Sequence, residues 1–365
     1  MTGKLVLENL KHRPMRSLLS ILLIGVPVTL ILTLVGLTQG MLEDGRNRQR
    51  GVGADVVIRG STAKSVINFS PSSMPVAMVA AIERQPHVKL AMGVINHAID
   101  LPLAITGIDL AKFNRMTGGF TYDDGGPFEG PGDILVDRYY AQQHRLAVGQ
   151  KIKLLNYDWR VAGIVEPGKL ARLAVPLATL QELDAATGKI GQIYVKVDDP
   201  AHTDEVVKEL LALLPGYGVN SMAEWTAMYS VQNIPAIQEF TVVVVIIGVV
   251  IGIAVVALSM YMAVLQRTRE IGILKALGAS NAFILRVILL EALLIGLGGT
   301  ILGIVFSFGA QWLIATFVPA SIQMAIVYAW WPRTAVIILA TAAFGALYPG
   351  LSAARHDAIE ALAYE

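Results

Sequence analysis

Long uncharged runs alternate along this chain with stretches where charge recurs every few residues. A helix rises 1.5 Å per residue, so crossing a bilayer takes about 20 apolar residues. Four runs meet that length. The first, "LLSILLIGVPVTLILTLVGLT" over 18–38, carries Pro27, where a kink is expected. The second, over 240–265, is uncharged between Glu239 and Gln266. The third extends over 282–315 with Glu291 as its one acidic residue, and the fourth covers 334–351.

Between 41 and 235 the pattern changes to short periods. "ADVVIRG", "DILV", "KIKLL", "RVAGIV" and "QIYVKV" read as strands, and "PVAMVAAIERQ" and "HTDEVVKELLALL" as helices. The glycine-rich "GGFTYDDGGPFEGPGD", 118–133, reads as a loop between two subdomains. Strands of 54–110 are expected to pair with 190–219 in one lobe, and 130–180 to form another. The fold class is therefore an α-helical membrane protein with four transmembrane helices plus a mixed α/β extracytoplasmic domain of two lobes.

The elements divide the chain into an amphipathic cytoplasmic elbow (1–17), a first span (18–40), a water-soluble domain (41–235) and a second span (236–265). A cytoplasmic helix (266–281), a third span (282–316), an outer connection (317–333), a fourth span (334–352) and a cytoplasmic tail (353–365) complete it. In the outer connection Trp330 and Trp331 suit the headgroup level, with a re-entrant segment as the competing reading.

Composition agrees: 54% of the 365 residues are hydrophobic and only 16% charged, against about 25% charged in soluble domains. A net charge of +1 gives no reason to invoke nucleic acid. With no cysteine, disulfides and thiolate metal sites are excluded. Lys4, Lys11, Arg13 and Arg16 precede the first span, while Arg267, Arg269, Lys275 and Arg286 lie at or near the ends of the connection joining the second span to the third. Positive loops stay inside, so both termini and the insert are expected in the cytoplasm and 41–235 outside. A cleaved leader is disfavoured by the length of the first apolar run and by the missing small-residue cleavage motif near Gln39 and Gly40.

The insert "QRTREIGILKALGAS" is amphipathic. Ile271, Leu274 and Gly278 recur at helical spacing, as do Ile273, Ala276 and Leu277, beside Arg267, Arg269, Glu270 and Lys275. Gly278 reads as a helix stop, and Ser280 or Asn281 as a cap for the next helix. An amphipathic helix held between two spans suits docking on a partner, against which stands a helix lying flat on lipid.

"QRTREIGILKALGASNAFILRVILLEALLIGLGGTILGI", 266–304, resembles the signature of the FtsX/MacB-type permease domain of ATP-binding cassette systems. "ENLKHRPMRSLLSILLIGVPV" (8–28) and "GALYPGLSAARHDAIEALAYE" (345–365) extend the resemblance, with Gly350 where the family usually has Ala. "GDILVDRYYAQQHRLAVGQKIKL" and "VPLATLQELDAATGKIGQIYVKVDDPAHTDEVVKELL" fit its periplasmic core more loosely.

The resemblance implies a multi-pass subunit of the bacterial inner membrane. It implies a second permease subunit, identical or paralogous, a cytoplasmic ATPase carrying the ATP and magnesium, a periplasmic membrane-fusion adaptor and an outer-membrane channel. Arg267, Arg269, Glu270, Ile271, Gly272, Leu274, Lys275, Leu277 and Gly278 would form the ATPase-coupling helix. Such subunits relay ATPase motion to the periplasmic domain for export of a lipid, peptide or small hydrophobic molecule. The same architecture also serves signal relay to a cell-wall hydrolase and lipoprotein extraction.

No catalytic residue, metal site or cofactor is expected in this chain. "GIVEPGKL", 163–170, has the glycine and lysine spacing of a phosphate loop, but Leu170 stands where the magnesium-binding hydroxyl belongs. His12, His87, His97, His144, His202 and His356 show no paired ligand spacing. Glu291, inside a span, is expected to pair with Arg286 or Lys275 or to serve in transmission. Gly248 and Gly252, and Gly299 and Gly303, have the four-residue spacing of close helix packing, a dimer seam among the possibilities.

Overall fold

The computed structural model describes residues 14–60, 74–100, 103–317 and 324–355. Residues 1–13 of the expected elbow, 318–323 of the outer connection and the tail beyond 355 lie outside the described residues. The chain forms two compact units. Among the described residues, one gathers those of 1–39, 236–315 and 324–365, and the other those of 40–235 and 316–323.

The first unit is helical. Among the described residues, four helices are long and apolar enough to cross a membrane: α1 (Pro14–Arg50), α8 (Pro235–Gln266), α10 (Asn281–Phe317) and α11 (Trp330–Arg355); α2 to α7 lie in the other unit. Helix α1 continues through Pro27 and past the apolar run, where the sequence reading ends it near 40. A helix leaving hydrocarbon need not stop if its polar side chains find partners. Trp330 and Trp331 open α11 rather than sitting in the connection. Trp331 meets Tyr328 and Phe308 edge-on, with centroids 5.0 and 6.0 Å apart.

Close approach holds the bundle together. A Cβ at Gly299 would lie 2.6 Å from Ile24 Cγ2, at Gly252 2.9 Å from Thr341 Cγ2, and at Gly248 3.1 Å from Ile31 Cδ1. Gly303 faces Val28 and the Gly25 carbonyl in the same way. All four glycines are thus occupied by neighbours of their own chain. Ile24, Val28, Val256, Ile288, Ile338 and Ala342 lie at the centre of this core.

The second unit is built on a ten-stranded mixed sheet, ordered β12-β1-β11-β3-β4-β9-β6-β8-β5, with β7 also pairing β8. The strands near one end are β1 (Val56–Arg59), β3 (Val88–Asp100), β4 (Leu103–Ile108), β11 (Gln192–Val197) and β12 (Gly218–Ser221). Those near the other are β5 (Tyr122–Gly125), β6 (Asp133–Asp137), β7 (Lys151–Leu154), β8 (Tyr157–Val165) and β9 (Leu173–Pro176). A two-stranded sheet pairs β2 (Met74–Pro75) with β10 (Lys189–Ile190). The 54–110 and 190–219 segments do pair, as in Val57↔Tyr194 and Ile193↔Gly93. The two groups nevertheless share one sheet, because β4 and β9 run parallel with Ile105↔Leu173. The 118–133 stretch is not all loop, since it contains the edge strand β5. Short helices α2 (Ala77–Glu83), α3 (Leu110–Thr117), α4 (Arg138–His144), α5 (Leu177–Leu183), α6 (Thr203–Leu213) and α7 (Met222–Ala227) cover the sheet.

Candidate functional site

Between α8 and α10 sits α9 (Thr268–Ala276). Its sequence dictates where it stops. At the C-terminus Gly278 takes φ 94°, a left-handed value that costs glycine least. There the Gly278 N–H donates to the Lys275 carbonyl at 2.9 Å, and the Ala279 N–H to that of Leu274 at 2.9 Å. Ser280 then caps α10, its Oγ accepting from the Phe283 N–H at 3.2 Å.

The two faces of α9 differ. Ile271 and Leu274 pack half-buried against the bundle core, and Gly272 is buried. Arg269, Glu270, Ile273 and Leu277 face outward, Leu277 with 80% of its surface open. Leu274 therefore anchors the helix, while Ile273 and Leu277, one turn apart, make the outward apolar ridge. Periodicity missed Ile273 as an outward residue because it supports more than one apolar stripe over so short a segment.

Glu291 is 5% exposed and accepts from Arg267 Nη1 at 3.0 Å. The expected partners are corrected. Arg286 lies five residues earlier on the same helix, roughly 140° around its axis, and is exposed. Lys275 reaches the other way, donating to the Ala354 carbonyl near the end of α11 at 2.8 Å. The first link ties the α8–α9 junction to α10, and the second ties α9 to α11. Beside the ion pair, Glu270, Ile271, Val287 and Met260 line a notch of about 70 Å³.

A second constellation lies in the α/β unit, at the last turns of α1. Asp44 accepts from Arg48 Nε at 3.0 Å and from Arg172 Nη2 at 2.8 Å, and Arg48 Nη2 donates to Asp137 at 2.8 Å. The four side chains keep no more than 12% of their surface open. Asp137 also caps α4 by accepting from the Tyr140 N–H at 2.8 Å. One turn along, Gln49 Oε1 accepts from the Tyr194 hydroxyl at 2.8 Å and from Trp225 Nε1 at 3.2 Å. Burial pushes the Tyr194 and Tyr229 phenols far up. Arg59, stacked 3.8 Å over the Trp225 ring, has its pKa lowered, also by burial. Sequence reading missed this clamp, whose partners are up to 176 residues apart.

The phosphate-loop-like segment leads from β8 into β9 with no helix behind it, and Leu170 is buried at a left-handed φ of 57°. It is a turn joining two strands.

Residues 17–213 match the MacB-like periplasmic core domain, and residues 242–358 the FtsX-like permease C-terminal domain. With four bilayer-length helices and a mixed-sheet α/β unit, the chain belongs to the FtsX/MacB-type family of ABC transporter permeases and is a multi-pass membrane protein. Its relatives include "Macrolide export ATP-binding/permease protein MacB" of Shigella sonnei, 29% identical over 318 residues, covering 78% of this chain and 48% of that protein. The protein of the same name from Escherichia coli K12 is 28% identical over the same coverage. The chain spans about half the length of the curated relatives it matches. Among solved structures, the periplasmic region of MacB from Actinobacillus actinomycetemcomitans aligns at 15% identity and a TM-score of 0.37, covering 48% of this chain and 92% of that one. The extracellular domain of the transporter YknZ from Gram-positive bacteria aligns at 14% identity and 0.36, covering 46% and 99%.

Proposed function

We propose that this chain is the membrane subunit of an ABC-type exporter of the inner membrane. It would convert the motion of a separate cytoplasmic ATPase into motion of its α/β unit. The observation that carries this reading is the outward ridge of α9. Ile273 and Leu277 stand exposed beside Arg269 and Glu270 on a helix whose other face and both ends are fixed to the bundle. A rigid amphipathic knuckle with apolar side chains turned outward suits a groove on a partner protein.

Force on α9 would act on α8 and α10 together, because Arg267 and Glu291 join the corner. The clamp on the last turns of α1 offers a matching point of leverage in the α/β unit. ATP and magnesium would be bound by the ATPase, with both termini of this chain on the same side. The α/β unit would then be periplasmic, in reach of a membrane-fusion adaptor. A second permease subunit would pack against α8, whose side chains are the least covered of the four helices. The relatives' names suit export of a small hydrophobic molecule; lipid or peptide cargo fits the same architecture.

The test is reconstitution with the partner ATPase. Leu277→Asp should abolish stimulation of ATP hydrolysis by the permease while the protein still inserts and folds. Stimulation equal to that of the unaltered chain would refute docking at α9.

A further inference from the structure

His87, Asp198 and His202 converge in the α/β unit, although 115 residues separate the two histidines in sequence. Backbone pairing brings them together. Strands β3 and β11 are antiparallel with Val88 opposite Val197, so His87 and Asp198 stand opposite each other just beyond the ladder. The Asp198 N–H donates to the His87 carbonyl at 3.0 Å. His87 has a left-handed φ of 59°, uncommon for a residue with a side chain. Asp199 then caps the short 3-10 turn Pro200–His202, accepting from the Ala201 N–H at 2.9 Å. That turn folds His202 back over Asp198.

The side chains meet closely. His87 Nδ1 lies 3.0 Å from one oxygen of Asp198, and His202 Nδ1 lies 2.9 Å from the other. The imidazole centroids are 3.8 Å apart, and one ligand atom from each residue lies within 4.8 Å of the others. Asp199 and Glu205 add negative potential at His202. Between a third and a half of each side chain is open to solvent, so an ion has a path in.

We propose that His87, Asp198 and His202 form a surface site for a divalent transition-metal ion of the zinc class, held by two imidazole nitrogens and one carboxylate, with further positions open to water. The donor set selects the class. Imidazole with carboxylate suits zinc and its first-row neighbours, whereas calcium and magnesium favour oxygen donors throughout. Metal bonds of about 2.0–2.1 Å in a tetrahedron put neighbouring ligand atoms roughly 3.3 Å apart. Each Nδ1 stands within a few tenths of an ångström of that spacing from an Asp198 oxygen, the two imidazoles meeting different oxygens of the carboxylate. The competing arrangement is a hydrogen-bonded clasp in which each Nδ1 carries a proton toward Asp198; a metal taking Nδ1 would leave a neutral imidazole with its proton on Nε2. Bound metal would staple the turn before β3 to the end of β11 and the start of α6.

The experiment uses the full chain in detergent, without a polyhistidine tag and stripped with chelator, titrated with Zn²⁺ at neutral pH against a competing chelator. The expected result is one saturable equivalent and a raised melting temperature. Both should be lost in His87→Gln/His202→Gln, which keeps amide hydrogen bonds to Asp198, and in Asp198→Asn. Loss of a direct ligand should weaken binding by more than the roughly 10- to 100-fold typical of second-shell changes. Co²⁺ should give the visible absorption of a low-coordinate site, fading as pH falls through the imidazole range. No saturable binding by the unaltered chain, or binding undiminished in the double variant, would overturn the proposal. So would displacement of Zn²⁺ by equimolar Mg²⁺ or Ca²⁺.

Discussion

Arg267 and Glu291 show how much a single pair decides here. A carboxylate 5% exposed beside apolar helices is tolerable only because a guanidinium donates to it at 3.0 Å. Removing one partner strands the other charge, at a cost of about 3–5 kcal/mol. Arg267→Ala should therefore lower the melting temperature in detergent more than the double change Arg267→Met/Glu291→Leu, which removes both charges. Asp133 offers a pH-dependent counterpart outside the membrane helices. Hydrogen bonds from Arg160, against burial, and from the backbone N–H groups of Glu129 and Gly130 hold its pKa at about 2, below the usual 3.8. Because the folded value is the lower one, this carboxylate stabilises the fold above about pH 4, and its contribution is lost as pH falls through about 2. Tryptophan emission followed through an acid titration should show Asp133→Asn less stable at neutral pH and with a smaller loss of stability over that interval.

Among the elements, the seam between α1 and α10 depends on absent side chains. Gly299 and Gly303 admit Ile24 and Val28. Without a hydrophobic driving force between helices in lipid, such contact is a main source of association. Gly299→Val should lower the melting temperature, since overpacking costs about 1–3 kcal/mol. Gly309→Ala, where an added Cβ meets nothing within 4 Å, should leave it nearly unchanged. The α9 segment was legible as amphipathic because its ends and its period are local. Which side faces outward was not, since Ile271, Ile273 and Leu274 fit more than one stripe until α10 and α11 are in place.

For the whole molecule, the orientation reading makes a direct demand. The chain lacks native cysteine, and Asp124 is exposed on the edge strand of the α/β unit. An Asp124→Cys variant should react with an impermeant maleimide added outside spheroplasts, whereas Leu277→Cys should react only once the membrane is opened. Reversed labelling would invert the topology and remove the basis for ATPase docking at α9. Bilayer-spanning segments could be read from the chain because hydrocarbon imposes its demand on consecutive residues, about 20 of them without charge. Motifs such as the α9 turn, held by bonds between near neighbours, were open to the same reading. The clamp of Asp44, Arg48, Asp137 and Arg172, the Arg267–Glu291 pair and the His87–Asp198–His202 cluster were not. Each joins residues from separate elements. Their meeting depends on strand register, on how far α1 continues and on the rotation of packed helices, quantities that arise only when the chain closes on itself.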